Sequence, residues 1–198
     1  YLQHLLDALA ALEVLAAEIG ARDDDPGALF DLPEMPTGAL DGGKLASVLV
    51  RLLPEAAIVV PTAVTNAYPF SGIAHRARPH TQLALTGGAI GEGPALAIGA
   101  ALAAPGRKVI NLEADGSGAY ALQAFWTQAR EGLDVTTVVL DNRAYAVLEL
   151  ELSRVGSSRP PGPAARRLLE LTPPDLDFAA LARGLGLEAW RATTAEEF

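Results

Sequence analysis

Residues 107–145 read RKVINLEADGSGAYALQAFWTQAREGLDVTTVVLDNRAY, and this stretch decides the fold. Val109 to Leu112 form a short apolar run that ends in Glu113-Ala114-Asp115-Gly116-Ser117. From Ala119 onward, apolar residues recur at Leu122, Phe125, Trp126 and Ala129, the period of a helix. Gly132 ends that helix, and the β-branched run Val135 to Leu140 predicts a buried strand. Strand, helix and strand in this order make a parallel βαβ crossover. Asp115 and Asn142 each follow the carboxyl end of a strand. If the two strands are neighbours, these residues stand about 5 Å apart laterally, at the sheet edge where open α/β folds bind ligands.

The chemistry of that corner follows from its residue types. Gly116 allows a close backbone approach, and Ser117-Gly118 open a helix whose free N–H groups attract anions. A carboxylate beside that N-terminus, faced by an amide oxygen, suits Mg²⁺ held partly by protein and partly by phosphate oxygens. Alone, Asp-Gly-Ser is a common turn. The spacing to Asn142 and the βαβ context give it a functional reading.

The stretch resembles the signature of thiamine-diphosphate-dependent enzymes, written GDGS, some two dozen residues, then NN. Here it stands as Ala114-Asp115-Gly116-Ser117 and Asp141-Asn142, with Ala114 and Asp141 departing from the pattern. Thr86-Gly87-Gly88-Ala89-Ile90-Gly91-Glu92-Gly93 is similar to the Gly-rich segment that precedes the signature in acetolactate synthases and benzoylformate decarboxylases. The resemblance runs from about residue 40 to the C-terminus. It implies Asp115 and Asn142 as Mg²⁺ ligands with the Ala144 carbonyl as third. Gly116, Ser117 and the backbone near Tyr145 would hold the diphosphate. Ile90 matches the bulky hydrophobe that bends the cofactor, an ordinary core isoleucine being the alternative, and Gly88 and Ala89 would meet the pyrimidine. Leu148 and Glu151 would line the substrate pocket.

Composition is compatible with this. The chain of 198 residues is long enough for one sizeable domain with extra length. Its formal charge of −9, without a basic cluster, argues against nucleic acid. Helix N-termini and Mg²⁺ can still supply a local positive field for a diphosphate. No cysteine is present, so thiol nucleophiles, zinc thiolates and disulfides are excluded. No apolar run approaches membrane-spanning length, and the cytoplasm is the default expectation.

The expected architecture is a doubly wound, mostly parallel α/β sheet with helices on both faces, the thiamine-diphosphate-binding fold. Residues 1–20 are expected to be the terminal helix of a preceding domain, a domain-covering helix being the alternative, with a Pro- and Asp-rich linker over 21–43. The diphosphate-binding domain is then expected over 44–198, truncated at its C-terminus. Asp41 can cap a helix over Gly42 to Leu53, with strands at Ala57 to Val60 and Gln82 to Leu85. A small-residue helix is expected over Pro94 to Ala104, Pro94 replacing a usual Leu. Ser153 to Pro174, with five prolines, predicts a surface loop, or by resemblance a mobile segment over the site. Asp177 caps Phe178 to Gly184, and Leu187 to Arg191 is expected as a last strand. Thr194 and Glu197 have capping-box spacing.

Other polar groups say less. His4 lies on the leading helix, and His75, Arg76, Arg78 and His80 form a cationic loop that could attract a substrate carboxylate or be a solvated surface. Pro61-Thr62 carries no inferred role. The resemblance implies a 2-oxo acid decarboxylase or carboligase of which this chain is the diphosphate half. The activating glutamate would come from a pyrimidine-binding domain of the same or another subunit, in a homodimer or homotetramer. The alternatives are a non-catalytic thiamine-fold protein or a nucleotide-binding Rossmann-like module. Against the latter, no G-x-G-x-x-G follows the first strand.

Overall fold

The computed structural model describes residues 31–155 and 162–198. The expected leading helix, His4 and residues 21–30 of the expected linker lie outside these residues, as do residues 156–161. The compact unit that carries the sheet runs Leu32–Phe198.

Four parallel strands form the sheet of this unit in the order β2-β1-β3-β4. They are β1 (Ile58–Pro61), β2 (Thr81–Gln82), β3 (Val109–Ala114) and β4 (Val135–Leu140). The register pairs Val60 with Asn111 across β1 and β3, and Ala114 with Leu140 across β3 and β4. The helices are α1 (Gly42–Leu52), α2 (Val64–Ile73), α3 (Glu92–Ala103), the single turn α4 (Asp115–Gly118), α5 (Leu122–Arg130), α6 (Ala146–Arg154), α7 (Pro163–Leu169) and α8 (Phe178–Gly184).

Both faces of the sheet are covered, as an all-parallel sheet requires. On one face Leu45, Leu49 and Val50 of α1 and Ala67 and Phe70 of α2 pack on Val59, Ile110 and Leu112. On the other, Ala97 and Ala100 of α3 lie against Ile58, Val60 and Val109. Alternation along β3 sends Ile110 and Leu112 one way and Val109 the other. Small residues on α3 let it sit close to the strands. The doubly wound fold expected from the sequence is the one formed.

Most caps follow the sequence. Asp41 Oδ1 accepts from Lys44 N at 2.8 Å at the start of α1, and Asp177 Oδ1 accepts from Ala180 N at 2.9 Å at the start of α8. Thr194 and Glu197 form the reciprocal pair: Glu197 N donates to Thr194 Oγ1 at 3.3 Å, and Thr194 N donates to Glu197 Oε2 at 3.2 Å. Leu40 N reaches Thr193 O and Ala195 N reaches Gly38 O, each at 2.9 Å, so residues expected as linker are joined to residues 193–195.

Four expectations need correction. Leu187 to Arg191 forms no strand; Trp190 is 82 % exposed and no neighbouring strand offers it a ladder. The proline-rich stretch contains a helix, α7, because Pro163 occupies its first turn, where a missing N–H costs nothing. Trp126 faces outward from α5, its ring lying 4.8 Å from the Arg130 guanidinium; Ala124, Phe125 and Gln128 are buried instead. The second strand is shorter and earlier than Gln82 to Leu85, since the chain turns away after Leu83 N bonds Val59 O.

The candidate cofactor site

Strand order reverses between β1 and β3, so the crevice above their carboxyl ends is the topological switch point. Thr62 follows β1 and Asp115 follows β3, and Thr62 N and Ala63 N both donate to Leu112 O, at 2.9 and 2.8 Å. The cationic loop His75–His80 precedes β2 and lies at the opposite, amino-terminal edge of the sheet. It is therefore remote from the switch point.

Asp115 is buried, 1 % exposed, at the first residue of α4. Its Oδ1 accepts from Gly116 N at 2.9 Å and its Oδ2 from Arg143 N at 2.5 Å. The carboxylate thus spans the ends of β3 and β4. Burial pushes its pKa above the ordinary value, the two backbone donors oppose that rise, and the neighbouring charge of Asp141 adds to it. A carboxylate held this way lacks a counter-charge of its own. Asp141 also pairs with Arg191 at 3.6 Å, so its departure from the usual asparagine adds negative field beside Asp115.

Asn142 follows β4 at the same edge, and its Oδ1 accepts from Ala144 N at 3.0 Å, closing a tight turn. Arg143 between them is left-handed, with φ 59°. Ala144 forms an antiparallel bridge with Glu170, made by Tyr145 N to Leu169 O and Leu171 N to Arg143 O, both 2.8 Å. The bridge uses the carbonyl of Arg143.

Ala114 sits at φ −89° and ψ 151°, ordinary extended backbone that needs no glycine. Pro94 lies in the first turn of α3, which starts at Glu92, two residues before the expected start, and needs no amide partner there. Gly116 does need to be glycine: a Cβ would come 2.7 Å from Tyr145 Cε1 and 2.8 Å from its Cδ1. Tyr145 closes over the turn; burial and the neighbouring Tyr120 hold its pKa above the ordinary value.

The Gly-rich turn stands across the crevice. Gly87, Gly88 and Gly91 have φ of 62°, 71° and 81°, a run that only glycine adopts without strain. Thr86 N is held by Glu92 Oε2 and Gly91 N by Ser117 Oγ, each at 3.0 Å. Gly88 and Ala89 are exposed, and Ile90 is 63 % exposed, which removes the core-isoleucine reading. Leu148 on α6 borders an open apolar hollow of about 370 Å³ with Leu152, Val155, Ala165, Leu168 and Leu169. Glu151 is on its rim with its carboxylate paired to Arg154 at 2.6 Å.

The sequence reading passed over one group. Glu113, on β3, is fully buried and accepts from Thr62 Oγ1 and Ala114 N, both at 3.0 Å. Burial raises its pKa against these donors. Its signal was visible: an acid and an amide, Glu113 and Asn111, on the same face of a buried strand.

Comparison with known proteins matches this geometry to a family. The family described as thiamine pyrophosphate enzyme, C-terminal TPP binding domain, matches residues 66–198. The "Putative acetolactate synthase large subunit IlvX" of Mycobacterium tuberculosis is 47 % identical over 192 residues, 97 % of this chain and 37 % of that protein. Benzoylformate decarboxylase of Pseudomonas aeruginosa is 33 % identical over 171 residues, 84 % of this chain and 31 % of that protein. The chain thus spans about a third of the length of these curated relatives. Among solved structures, the thiamine diphosphate-dependent 4-hydroxybenzoylformate decarboxylase of Rhodococcus jostii RHA1 superposes with a TM-score of 0.73 at 27 % identity, over 94 % of this chain and 34 % of that one. Benzoylformate decarboxylase of Polynucleobacter necessarius gives a TM-score of 0.63 at 26 % identity, over 84 % and 30 %. A buried acid at the switch point, a glycine turn facing it and a shared sequence over most of the domain have one explanation: the chain belongs to the thiamine pyrophosphate enzymes, as their C-terminal TPP-binding domain.

Proposed function

We propose that this domain binds thiamine diphosphate through Mg²⁺ and supplies the diphosphate half of an active site acting on a 2-oxo acid, by decarboxylation or carboligation. The observation that carries the metal assignment is the Asp115 carboxylate, buried between the ends of β3 and β4 with no cation among its hydrogen-bond partners. Asp115, Asn142 and the Ala144 carbonyl form an all-oxygen donor set, the kind Mg²⁺ takes together with phosphate oxygens. Asp141 strengthens the local field for a cation.

Gly116, Ser117 and the backbone near Tyr145 border the diphosphate position. The backbone of Gly88 and Ala89 would meet the pyrimidine, and exposed Ile90 would give the cofactor its apolar support. Bound there, the cofactor supplies the electron sink for loss of CO₂ from the substrate. The chain's own residues bind and orient it. The apolar hollow by Leu148, with Glu151 at its rim, is the substrate side. A pyrimidine-binding domain of the same or another subunit supplies the activating glutamate, in a homodimer or homotetramer acting in the cytoplasm. Nothing in the comparisons supports a dinucleotide-binding or non-catalytic reading.

Calorimetric titration with thiamine diphosphate, with and without Mg²⁺ and with NAD as competitor, tests the proposal. Joint binding of cofactor and metal, insensitive to NAD and lost in Asp115→Ala, is the expected result. Unchanged affinity in that variant overturns the assignment.

A further inference from the structure

The Thr86–Gly91 turn carries three glycines at positive φ, and its tip is open to solvent. Gly87, Gly88, Ala89 and Ile90 are exposed, and a Cβ built on Gly87 or Gly88 would meet nothing within 4 Å. Glycine loses more freedom on folding than any other residue, so such a turn keeps one shape only if hydrogen bonds hold it. Inside the turn, Ala89 N donates to Thr86 O at 3.3 Å and Glu92 N to Ala89 O at 3.2 Å, both at the long end of the range. Gly91 N donates to Ser117 Oγ at 3.0 Å, which anchors one end to the facing turn. The other end is anchored by a side chain: Thr86 N donates to Glu92 Oε2 at 3.0 Å.

Glu92 is the first residue of α3, where a carboxylate ordinarily serves its own helix by favouring the positive end of the dipole. Its oxygen instead reaches backwards, six residues along the chain and out of the helix, to the amide that opens the glycine turn. The N-cap residue itself, Gly91, makes no side-chain cap and sits at φ 81°. The ring closed by the carboxylate runs from Thr86 to Glu92 and so encloses Gly88, Ala89 and Ile90. Behind it, α3 is fixed on the sheet by Ala97 and Ala100, both buried. One side chain thus passes the position of a packed helix to an exposed loop.

We propose that Glu92 is a positioning residue that clasps the Thr86 amide and so holds residues 87–90 in the shape they present to the cofactor. A carboxylate acceptor makes this a charge-assisted bond, stronger than the two backbone bonds within the turn. The consequence for binding rests on the thiamine diphosphate reading above. The clasp itself does not, because it is present in the protein without cofactor.

The experiment has two arms on the full chain, with the parent, Glu92→Gln, Glu92→Asp and Glu92→Met. Glutamine keeps an acceptor oxygen at the same reach. Aspartate keeps the charge at the helix start but falls one methylene short, and methionine keeps the length with no acceptor. Without cofactor, amide hydrogen exchange at Thr86 should speed about tenfold or more in Glu92→Asp and Glu92→Met, and no more than about threefold in Glu92→Gln, while β3 amides stay as they were. With Mg²⁺ and thiamine diphosphate, the dissociation constant should rise about tenfold in the same two variants and no more than about threefold in Glu92→Gln. Rescue by glutamine separates a clasp from a charge at a helix N-terminus, for which aspartate would be the better substitute. Parent-like Thr86 exchange in Glu92→Met overturns the proposal, as does a pattern in which aspartate and not glutamine resembles the parent. Fast Thr86 exchange in Glu92→Met with parent-like affinity overturns it too. Should Glu92→Met fail to fold, Glu92→Asp set against Glu92→Gln carries the test. A parent that binds no cofactor sinks the functional reading alone, and the exchange arm still decides the clasp.

Discussion

Arg143 N donates to Asp115 Oδ2 at 2.5 Å, so the backbone that leaves β4 is fastened to the acid that ends β3. The residue so fastened is left-handed at φ 59°, a conformation that costs a non-glycine residue about 1–2 kcal/mol. Arg143→Gly removes that cost and keeps the backbone bond. What it loses is a 3.4 Å ion pair with Asp175, both side chains about half exposed and the pair worth little. Arg143→Gly should therefore raise the melting temperature. A lower one, by calorimetry, would show that the arginine side chain holds the turn.

Ile90→Ala separates support of a ligand from support of the fold. At 63 % exposure its truncation should change unfolding free energy by no more than about 0.5 kcal/mol, against about 2–5 for a core isoleucine. Cofactor-dependent turnover of the assembled enzyme should fall at least tenfold. Denaturant titration and a CO₂-release assay on one preparation check both halves.

Two glycines of α3 should respond oppositely to alanine. Gly93→Ala drives a methyl into Glu113 and Thr62 and should destabilise by about 3 kcal/mol or more. A methyl group at Gly99 would meet nothing within 4 Å, and Gly99→Ala should stabilise by about 0.5–1 kcal/mol through the helix and the unfolded chain. Urea midpoints with unchanged slopes are the readout.

The pH profile of the metal-free chain should slope differently on its two sides. Glu113 and Asp115 have folded pKa values raised above their ordinary 4.5 and 3.8, chiefly by burial. Between the ordinary and raised values the folded state holds more protons, so stability falls as pH rises through that window. Glu196 and Glu197 are lowered below 4.5 by backbone donors at Gly38 and Thr193. Their contribution is present above that value and lost as pH falls through the folded one. Melting curves from about pH 3 to about pH 8 should show both limbs, and Mg²⁺ with thiamine diphosphate should lift the upper one, where Asp115 must be charged.

How much of this was legible in sequence depended on whether the determinant was local. The run Val135 to Leu140 became β4 with its bounds unchanged, though at the end of the sheet it is half-buried and not the buried strand expected, and Asp41 and Asp177 capped the helices they precede, since periodicity and capping act over a few residues. Asp115 and Asn142 came to one sheet edge because a crossover between neighbouring parallel strands leaves them there. Trp126 defeated the pattern: the period placed it with Phe125, but only Phe125 is buried, 4 % exposed against 48 % for Trp126. Leu187 to Arg191 has strand-like composition, and a strand exists only where another offers it hydrogen bonds. Glu113 was passed over because its partner Thr62 lies 51 positions away and no local rule joins them.

Gly93 carries a constraint on how this sequence can drift. The missing side chain at 93 and the acid at 113 occupy one volume, so neither position is free to change while the other stands. A smaller apolar residue at 113 would open part of that space, and alanine or serine at 93 would then be tolerated only with a change at Thr62, whose Oγ1 lies as close to a Cβ there. Glycine at 93 should thus accompany an acidic residue at 113 from one homologue to the next, with the two lost together. Steric exclusion inside a single domain would leave its trace as coupled variation between a helix's first turn and the last buried residue of a strand.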